Sequence, residues 1–420
     1  MLKKSKFTRN IVQIATGSAL SQLILIGSMP VLTRLYDPSE FGALALFSSA
    51  YALIVGLFTL KYDYAIILPE DDNVARELTT LCLYLSIAMC FAGVAGLAAA
   101  KYSFAQELAW YFFLVPVASV VGTAYTCAQQ WAARARDYHR SSQSQVVNAV
   151  ANVGVVLTLA ASGWSFTGRL VVGYTVGLSV ATLFLAGYGW RHGPFASMSA
   201  LGARAREFKR FPLFVFPSFL LATGSINTAP FVLRALFRIE DVGFYAVANR
   251  FLLAPSSLIG GAISEAFRAE FVSMQKAGGD TARLFQNTLR SLLLVATPVF
   301  GALMVFAPTL FEFLLGPSFG PSGLVVRYIS LGVFAQFVAQ PFHYVFVATG
   351  RVRTGLVVQG ACAFVPLLGL IAGGLKGVGI LHALLFGAIL SAATSAVLIW
   401  MAYRCCENPT SVSDEVNNHA

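Results

Sequence analysis

The chain has 420 residues, of which 57% are hydrophobic and only 11% are charged, against a usual charged share of about 25% in soluble domains. This composition excludes a protein whose main solvent is water. The net charge is +10. The basic residues fall between apolar runs, where the membrane topology explains them, so the charge does not predict a nucleic-acid partner.

Apolar runs fill nearly the whole chain. A helical membrane span needs about 20 predominantly apolar residues, and the sequence therefore predicts an all-α integral membrane protein with about twelve transmembrane helices. A basic segment precedes the first run, but the length of that run and the spans that follow it favour a retained helix over a cleaved signal peptide. The predicted spans are 11–33, 41–60, 78–100, 108–131, 145–163, 170–190, 211–233, 243–266, 290–315, 325–348, 355–375 and 378–402.

The basic residues between the spans predict the orientation of the chain. If the N-terminus is inside, the inner segments hold 21 Lys and Arg residues and the outer segments hold 7. Cytoplasmic loops retain positive charge, so both termini are predicted to be cytoplasmic.

The two halves of the chain are related. Position by position at an offset of 200, six residues of 18–40 are identical to their counterparts in 218–240, including a Pro, an Arg and a Glu in the same order. An even number of spans in each half gives the halves the same orientation, a common arrangement in transporters. The predicted domains are a six-helix lobe at 1–190, a basic cytoplasmic linker at 191–210, a second six-helix lobe at 211–403 and a polar cytoplasmic tail at 404–420.

Arg250 is the clearest candidate for a functional residue. It lies in the apolar stretch GFYAVANRFLLAPSSLIGGA, and charged residues within membrane spans are functional candidates by default. A guanidinium in a water-filled cavity would suit phosphate oxygens, with Asn249 and Asn227 as neutral hydrogen-bonding groups of the same cavity. The alternative is that Arg250 extends to the membrane interface or pairs with a neighbouring helix.

Arg34 and Arg234 end the first helix of each half. Their paired positions favour a shared substrate-binding role at the lateral edges between the halves. The alternative is interfacial anchoring, with salt bridges to Glu40 and Glu240.

Lys61 and Asp63 lie where apolar residues resume after a short charged interruption, near the predicted inner membrane boundary. This pattern predicts one long helix that contains both residues. Since residues i and i+2 do not share a helix face, each charge is expected to pair elsewhere. We predict a gating or coupling role for the two residues.

Close helix contacts are predicted at Gly173-x-x-x-Gly177 and Gly369-x-x-x-Gly373, where we interpret the glycines as ordinary packing. The sequence has no H-E-x-x-H, Walker or G-x-S-x-G motif, and its six cysteines show no zinc-site spacing. We therefore predict no catalytic residue, no metal site and no cofactor.

The segment SALSQLILIGSMPVLTRLYDPSEFGALALF, followed by LKYDYAIILPEDDNVARELTTL, resembles the start of bacterial lipopolysaccharide and capsule flippases of the Wzx type. The segment INTAPFVLRALFRIEDVGFYAVANRFLLAP is similar to the seventh and eighth helices of that family. The resemblance implies membership of the multidrug/oligosaccharidyl-lipid/polysaccharide exporter superfamily, whose two six-helix lobes form a V that opens to either side of the membrane in turn.

The resemblance also implies a function. Such proteins flip undecaprenyl-diphosphate-linked oligosaccharide repeat units across the bacterial inner membrane for O-antigen, capsule or exopolysaccharide synthesis, and they are not enzymes. Related lipid II flippases use a cationic central cavity, with which the position of Arg250 is compatible. Membrane lipids and other polysaccharide assembly proteins are candidate partners, and Na⁺, H⁺ or the membrane potential are candidates for driving transport.

Two other functions stay open at the level of sequence. A multidrug cation antiporter of the same superfamily would need buried carboxylates, and only Asp63 and Glu265 lie near span interiors. A membrane polysaccharide polymerase would need a sizeable outer loop for its catalytic residues, which the spacing of the spans does not provide. A purely structural membrane subunit is the remaining alternative.

Overall fold

The computed structural model describes residues 16–103, 109–189 and 198–407. The predicted basic N-terminus and most of the predicted polar tail lie outside these ranges. Within them the regular secondary structure is helical and contains no strand. This confirms the predicted all-α class, which follows from the need to satisfy backbone polar groups inside the hydrocarbon.

The described helices fall into two compact units, Met1–Thr228 and Ala229–Ala420. Those of the first unit are α1 Thr16–Leu35, α2 Pro38–Thr59, α3 Asp72–Ser103, α4 Trp110–Arg134, α5 Tyr138–Ala161, α6 Arg169–Gly189, α7 Met198–Glu207 and α8 Phe216–Asn227. Those of the second unit are α9 Ala229–Leu236, α10 Ile239–Lys276, α11 Thr281–Leu315, α12 Gly320–Ala339, α13 His343–Ala348, α14 Val352–Leu375 and α15 Ile380–Glu407.

Ten helical stretches of the described chain are long and apolar enough to cross a membrane, or eleven if the bent pair α8 and α9 forms one span. The predicted span 243–266 lies in α10, which carries Asn249 and Arg250 and is not among the ten. The chain is thus a multi-pass membrane protein, while the count of about twelve spans and the cytoplasmic termini stay predictions.

Helix α8 belongs to the first unit, although the predicted second lobe begins at 211. The ring of Phe219 packs against Gly56 of α2 so closely that a Cβ at Gly56 would overlap it. The predicted lobe boundaries stay a prediction, because the basic linker between them is described only from Met198 onward.

The two glycine pairs lie at helix contacts, as predicted. In the first unit, a Cβ at Gly173 would overlap Val156 of α5, and one at Gly177 would lie 2.8 Å from the carbonyl oxygen of Asn148. In the second unit, Gly369 and Gly373 of α14 lie equally close to α15. Small residues allow this approach where helices cannot gain from the exclusion of water.

Replacing Gly177 by Ala is expected to lower the thermal stability of the purified protein in detergent. The added methyl group would collide with the α5 backbone, and overpacking of this kind costs about 1–3 kcal/mol. The matched control is Gly154→Ala on α5, where a Cβ would meet nothing within 4 Å. Thermal unfolding should give a lower midpoint for G177A alone, and an equal fall in both variants would contradict the packing role.

Candidate functional site

The segment with Lys61 and Asp63 is a break between helices. Helix α2 ends at Thr59, Leu60 and Lys61 adopt left-handed backbone angles (φ 45° and 61°), and a 3-10 helix follows at Tyr62–Ile67. The predicted single long helix is therefore wrong. Two successive left-handed residues end the α-helical hydrogen-bond ladder, and the hydroxyl of Thr59 accepts a hydrogen bond from the Lys61 N–H (3.2 Å).

The break brings the two charges together. Lys61 Nζ lies 3.6 Å from Asp63 Oδ2, with side chains only 8% and 2% exposed. The expectation that each charge pairs elsewhere is wrong, because the rule about i and i+2 holds for an α-helix and this segment is not one. The second carboxylate oxygen, Asp63 Oδ1, is buried and has no hydrogen-bond partner among the described residues.

Aromatic rings cover the ammonium group of Lys61. Its Nζ lies 4.0 Å from the ring centroid of Tyr64 and 4.4 Å from that of Phe219 on α8. Such contacts stabilise a desolvated cation through the negative face of the ring. Lys61 therefore joins the end of α2 to α8.

Helix α7, in the predicted basic linker, packs on this segment. Leu201 is buried with Tyr62 in one apolar cluster, and the Tyr62 hydroxyl donates a hydrogen bond to the Ala205 carbonyl oxygen (3.0 Å). Arg204 Nε lies 2.5 Å from Glu77 Oε2 of α3. This hydrogen bond, with a second that Arg204 donates to Glu207, holds the pKa of Arg204 above its ordinary value. The linker helix is thus fixed to the first unit.

Sequence reasoning missed this docking of α7. The signal was an apolar spacing of four and three residues at Leu201, Ala205 and Phe208, all of which pack with the cluster around Tyr62. This spacing places the three side chains on one face of a helix. The basic residues between them led to the prediction of a basic cytoplasmic linker, with no contact to the first lobe.

Arg250 and Asn249 lie side by side on α10. The neighbouring residues Val247, Ala248 and Leu252 are 0%, 0% and 3% exposed, whereas Asn249 and Arg250 are half-buried. At 100° per residue, the two polar side chains flank the packed face of the helix rather than forming its centre. This position agrees with the predicted cavity role, which itself stays a prediction.

Arg34 and Arg234 are both exposed and bond to backbone carbonyls of their own segments. Arg34 Nη1 donates to the Pro30 oxygen (2.5 Å) and Arg234 Nη1 to the Phe237 oxygen (3.5 Å). Glu240 Oε2 lies 3.3 Å from Arg238 Nε.

Glu40 is held by α6 and the turn before it. Its two carboxylate oxygens accept hydrogen bonds from the Gly168 N–H (2.9 Å) and from Arg169 Nε (3.4 Å). The guanidinium of Arg169 also lies 4.6 Å from the ring centroid of Tyr36. This buried group fixes the connection between α1 and α2, and the sequence did not indicate Arg169 as its cation.

Asn227 uses its amide within its own helix, donating to the Thr223 carbonyl oxygen (2.9 Å). The first unit contains Asn227, Arg34, Lys61 and Asp63, and the second contains Arg234, Asn249 and Arg250. The cavity that Asn227 is predicted to share with Arg250 therefore stays a prediction. In the described part of the chain, no group of three or more His, Cys, Asp or Glu residues is placed to hold a metal ion.

A polar network between α4 and α5 was also missed. Gln129 donates to the Tyr125 hydroxyl (2.8 Å) and to Ser144 (3.2 Å), and it accepts from Ser141. Interhelical hydrogen bonds of this kind hold membrane helices together. In the sequence, neutral polar side chains near helix ends look the same whether they bond to another helix or to water.

Removing one charge of the Lys61–Asp63 pair is expected to destabilise the protein strongly. An unpaired buried charge costs about 3–5 kcal/mol, whereas replacing both partners by residues of similar volume is often neutral. Thermal unfolding should therefore show large losses for Lys61→Met and Asp63→Leu alone, and recovery in the double variant. Equal losses that simply add in the double variant would contradict a coupled pair.

Residues 31–323 match the family model described as polysaccharide biosynthesis protein. No curated protein sequence matches the chain.

Solved structures of MOP superfamily transporters share the fold. An inward-facing multidrug resistance transporter of the MATE family has a TM-score of 0.68 at 15% identity, covering 94% of this chain and 96% of its own. The lipid II flippase MurJ in an inward closed conformation has a TM-score of 0.63 at 11% identity, with 96% and 89% covered. A MOP superfamily transporter from Pyrococcus furiosus has a TM-score of 0.59 at 13% identity, with 95% and 96% covered.

The family match covers most of the chain, and the predicted resemblance to polysaccharide flippases of this superfamily is confirmed. The fold is shared with transporters and flippases, as the predicted resemblance implies. The chain therefore belongs to the polysaccharide biosynthesis protein family and is a multi-pass membrane protein that shares the fold of MOP superfamily transporters.

Proposed function

We propose that this transporter flips undecaprenyl-diphosphate-linked oligosaccharide repeat units across the bacterial inner membrane, for lipopolysaccharide, capsule or exopolysaccharide synthesis. The main support for the proposal is that the charged residue inside α10 is a cation. Between Asp241 and Glu265 the helix has one charged residue, Arg250, and it is half-buried. A cation at this depth suits an anionic substrate, and the family model supports a polysaccharide precursor.

The diphosphate is the part of such a substrate that needs a cation. The Arg250 guanidinium can present two parallel N–H donors to phosphate oxygens, and Asn249 beside it can bond the first sugar. The exposed guanidinium groups of Arg34 and Arg234 would meet the diphosphate nearer the membrane surface. Several moderate contacts allow release as well as binding, whereas the polyprenyl tail is apolar and can remain in the lipid.

Alternating access moves the polar head group without exposing it to hydrocarbon. The shared fold with transporters in inward-facing and outward-facing conformations supports this mode of transport. A lipid II flippase has the same fold, so the fold is compatible with a lipid-linked substrate. In each conformation the sugar would lie in water on one side while the lobes close the other.

We place the coupling role at Lys61 and Asp63. The buried oxygen Asp63 Oδ1 has no hydrogen-bond partner among the described residues, and a coupling cation bound there would weaken the attraction of Asp63 for Lys61. Because Lys61 also contacts Phe219 of α8, such a change would be passed to α8. The driving force would then be an ion gradient, with the membrane potential acting on the same charges.

A multidrug cation antiporter is the second candidate, because MATE transporters share the fold. It would need a carboxylate that is available to a cationic drug. Asp63 pairs with Lys61 and is only 1% exposed, so a drug molecule has no access to it, and Glu265 already pairs with Arg268. The charges therefore favour the anionic substrate.

Replacing Arg250 by Ala is expected to reduce transport about 10- to 100-fold, the range that corresponds to losing a hydrogen bond to a charged group. The measurement is movement of a labelled undecaprenyl-diphosphate oligosaccharide between leaflets of proteoliposomes. Arg250→Lys should retain part of the activity because it keeps the charge and loses the two-pronged geometry. The matched control is Arg283→Ala, which removes an exposed cation from the first turn of α11.

Full transport by both Arg250 variants would overturn the role of Arg250. Absence of transport by the natural protein with several such lipids, together with export of a cationic drug, would overturn the flippase proposal itself. Unchanged thermal unfolding of each variant excludes misfolding as the cause of a loss.

A further inference from the structure

A groove runs between α14 and α15 in the second unit. Its volume is about 610 Å³. Apolar side chains from both helices form its walls and floor, and a single charged residue, Arg353, lies at one end. The apolar residues that define it are Val357, Ala361, Val365, Leu390, Ala393 and Val397.

The groove forms because side chains of α14 and α15 pack closely at one end of the helix pair and leave space between them at the other. Toward one end, a Cβ at Gly373 would lie only 2.6 Å from the Cα of Ala383, so that end is packed tight. Toward the other end, the small side chains of Ala361 and Ala393 line the groove together with the larger side chains of Val357 and Val397. Short side chains between longer ones leave a channel of defined width.

The apolar walls are open to the outside of the protein. Val357 is 73% exposed and Val397 is 50% exposed, and both belong to helices long and apolar enough to cross a membrane. Exposed apolar surface on such helices faces hydrocarbon rather than water. A lipid chain is therefore the molecule that can enter the groove without any cost of desolvation.

The positive charge at the end of the groove indicates an anionic ligand. Arg353 is exposed and has no ion pair or hydrogen bond among the described residues. Arg351 and Arg404 belong to the same ends of α14 and α15, where Arg351 Nη1 contacts Cys405 Sγ (3.4 Å). No acidic residue lines the groove. Basic pockets between membrane helices on the cytoplasmic side, where this end is predicted to lie, suit anionic head groups.

The length of the groove distinguishes between lipids. From Arg353 to Val365 is about 18 Å along an α-helix, slightly more than half of a hydrocarbon core of about 30 Å. The groove thus has about the length of one leaflet of the hydrocarbon core, which matches a single phospholipid acyl chain. A polyprenyl chain of the proposed substrate would be too long for it.

We propose that this groove binds an anionic phospholipid, with its phosphate at Arg353 and one acyl chain along Val357, Ala361 and Val365. Thr354 and Thr394, which also line the groove, place hydroxyl groups along its length. This site is separate from the residues proposed to bind the transport substrate. It goes beyond the proposed function, because binding of the phospholipid requires no transport.

The test is native mass spectrometry of the purified full-length protein with phosphatidylglycerol or phosphatidylcholine of identical acyl chains. The natural protein should prefer phosphatidylglycerol about fivefold, which corresponds to about 1 kcal/mol for one basic residue near the surface. Arg353→Gln should abolish the preference. Ala393→Phe should fill the groove and remove the tightest adduct of both lipids.

Two matched controls separate the groove from the general surface. Arg283→Gln removes an exposed cation from another helix, and Leu368→Phe enlarges an exposed apolar residue of α14 that does not line the groove. Both should bind phosphatidylglycerol as the natural protein does. If Ala393→Phe fails to fold, the smaller change Ala361→Leu takes its place.

A second measurement locates the lipid. A phosphatidylglycerol with a diazirine in its acyl chain should crosslink in membranes to peptides that contain Val357 or Val397. Unchanged adducts in R353Q and A393F, crosslinks elsewhere only, or displacement of phosphatidylglycerol by an equal concentration of undecaprenyl phosphate would each overturn the proposal. These measurements need no transport activity, so failure of the lipid-binding proposal can be distinguished from failure of the flippase proposal.

Discussion

The absence of water in the hydrocarbon core is the constraint on which this structure depends. Each backbone N–H and C=O must find a partner within the protein, which leaves helices as the regular structure of the described chain. Where α2 stops at Thr59, the protein supplies the missing partners and cover itself. The Thr59 hydroxyl bonds the Lys61 N–H, and α7 covers the following 3-10 helix. A docked amphipathic helix thus makes an irregular segment tolerable.

The same lack of water requires that buried charges be paired. Lys61 with Asp63 and Arg169 with Glu40 each place a cation beside a carboxylate that is almost fully buried. Such pairs contribute little net stability, since desolvation offsets their attraction, but they fix the geometry of the segments that carry them. The pairing of Asp63 is incomplete, because its second oxygen lacks a partner among the described residues, and the proposed coupling role rests on this observation.

Residue size decides which surfaces of the helices meet and which remain available to lipid. Gly373 brings α14 onto α15, and Gly177 brings α6 onto α5. A few turns along α14, Ala361 leaves a groove instead of a contact. One helix pair can therefore serve both packing and lipid binding, because a change of one methyl group alters the distance at which helices meet without altering their hydropathy.

The sequence by itself determined the membrane environment, the helical class, the polysaccharide biosynthesis family and the glycine contacts, because hydropathy, short motifs and small-residue spacing are local properties. It pointed to Lys61 and Asp63 through their cost in an apolar run, but placed them wrongly in one helix. Only the tertiary structure decided the pairing of Lys61 with Asp63, the partner of Glu40 and the docking of α7. These depend on a two-residue change of backbone angles and on contacts between residues more than 100 positions apart, which no local pattern records.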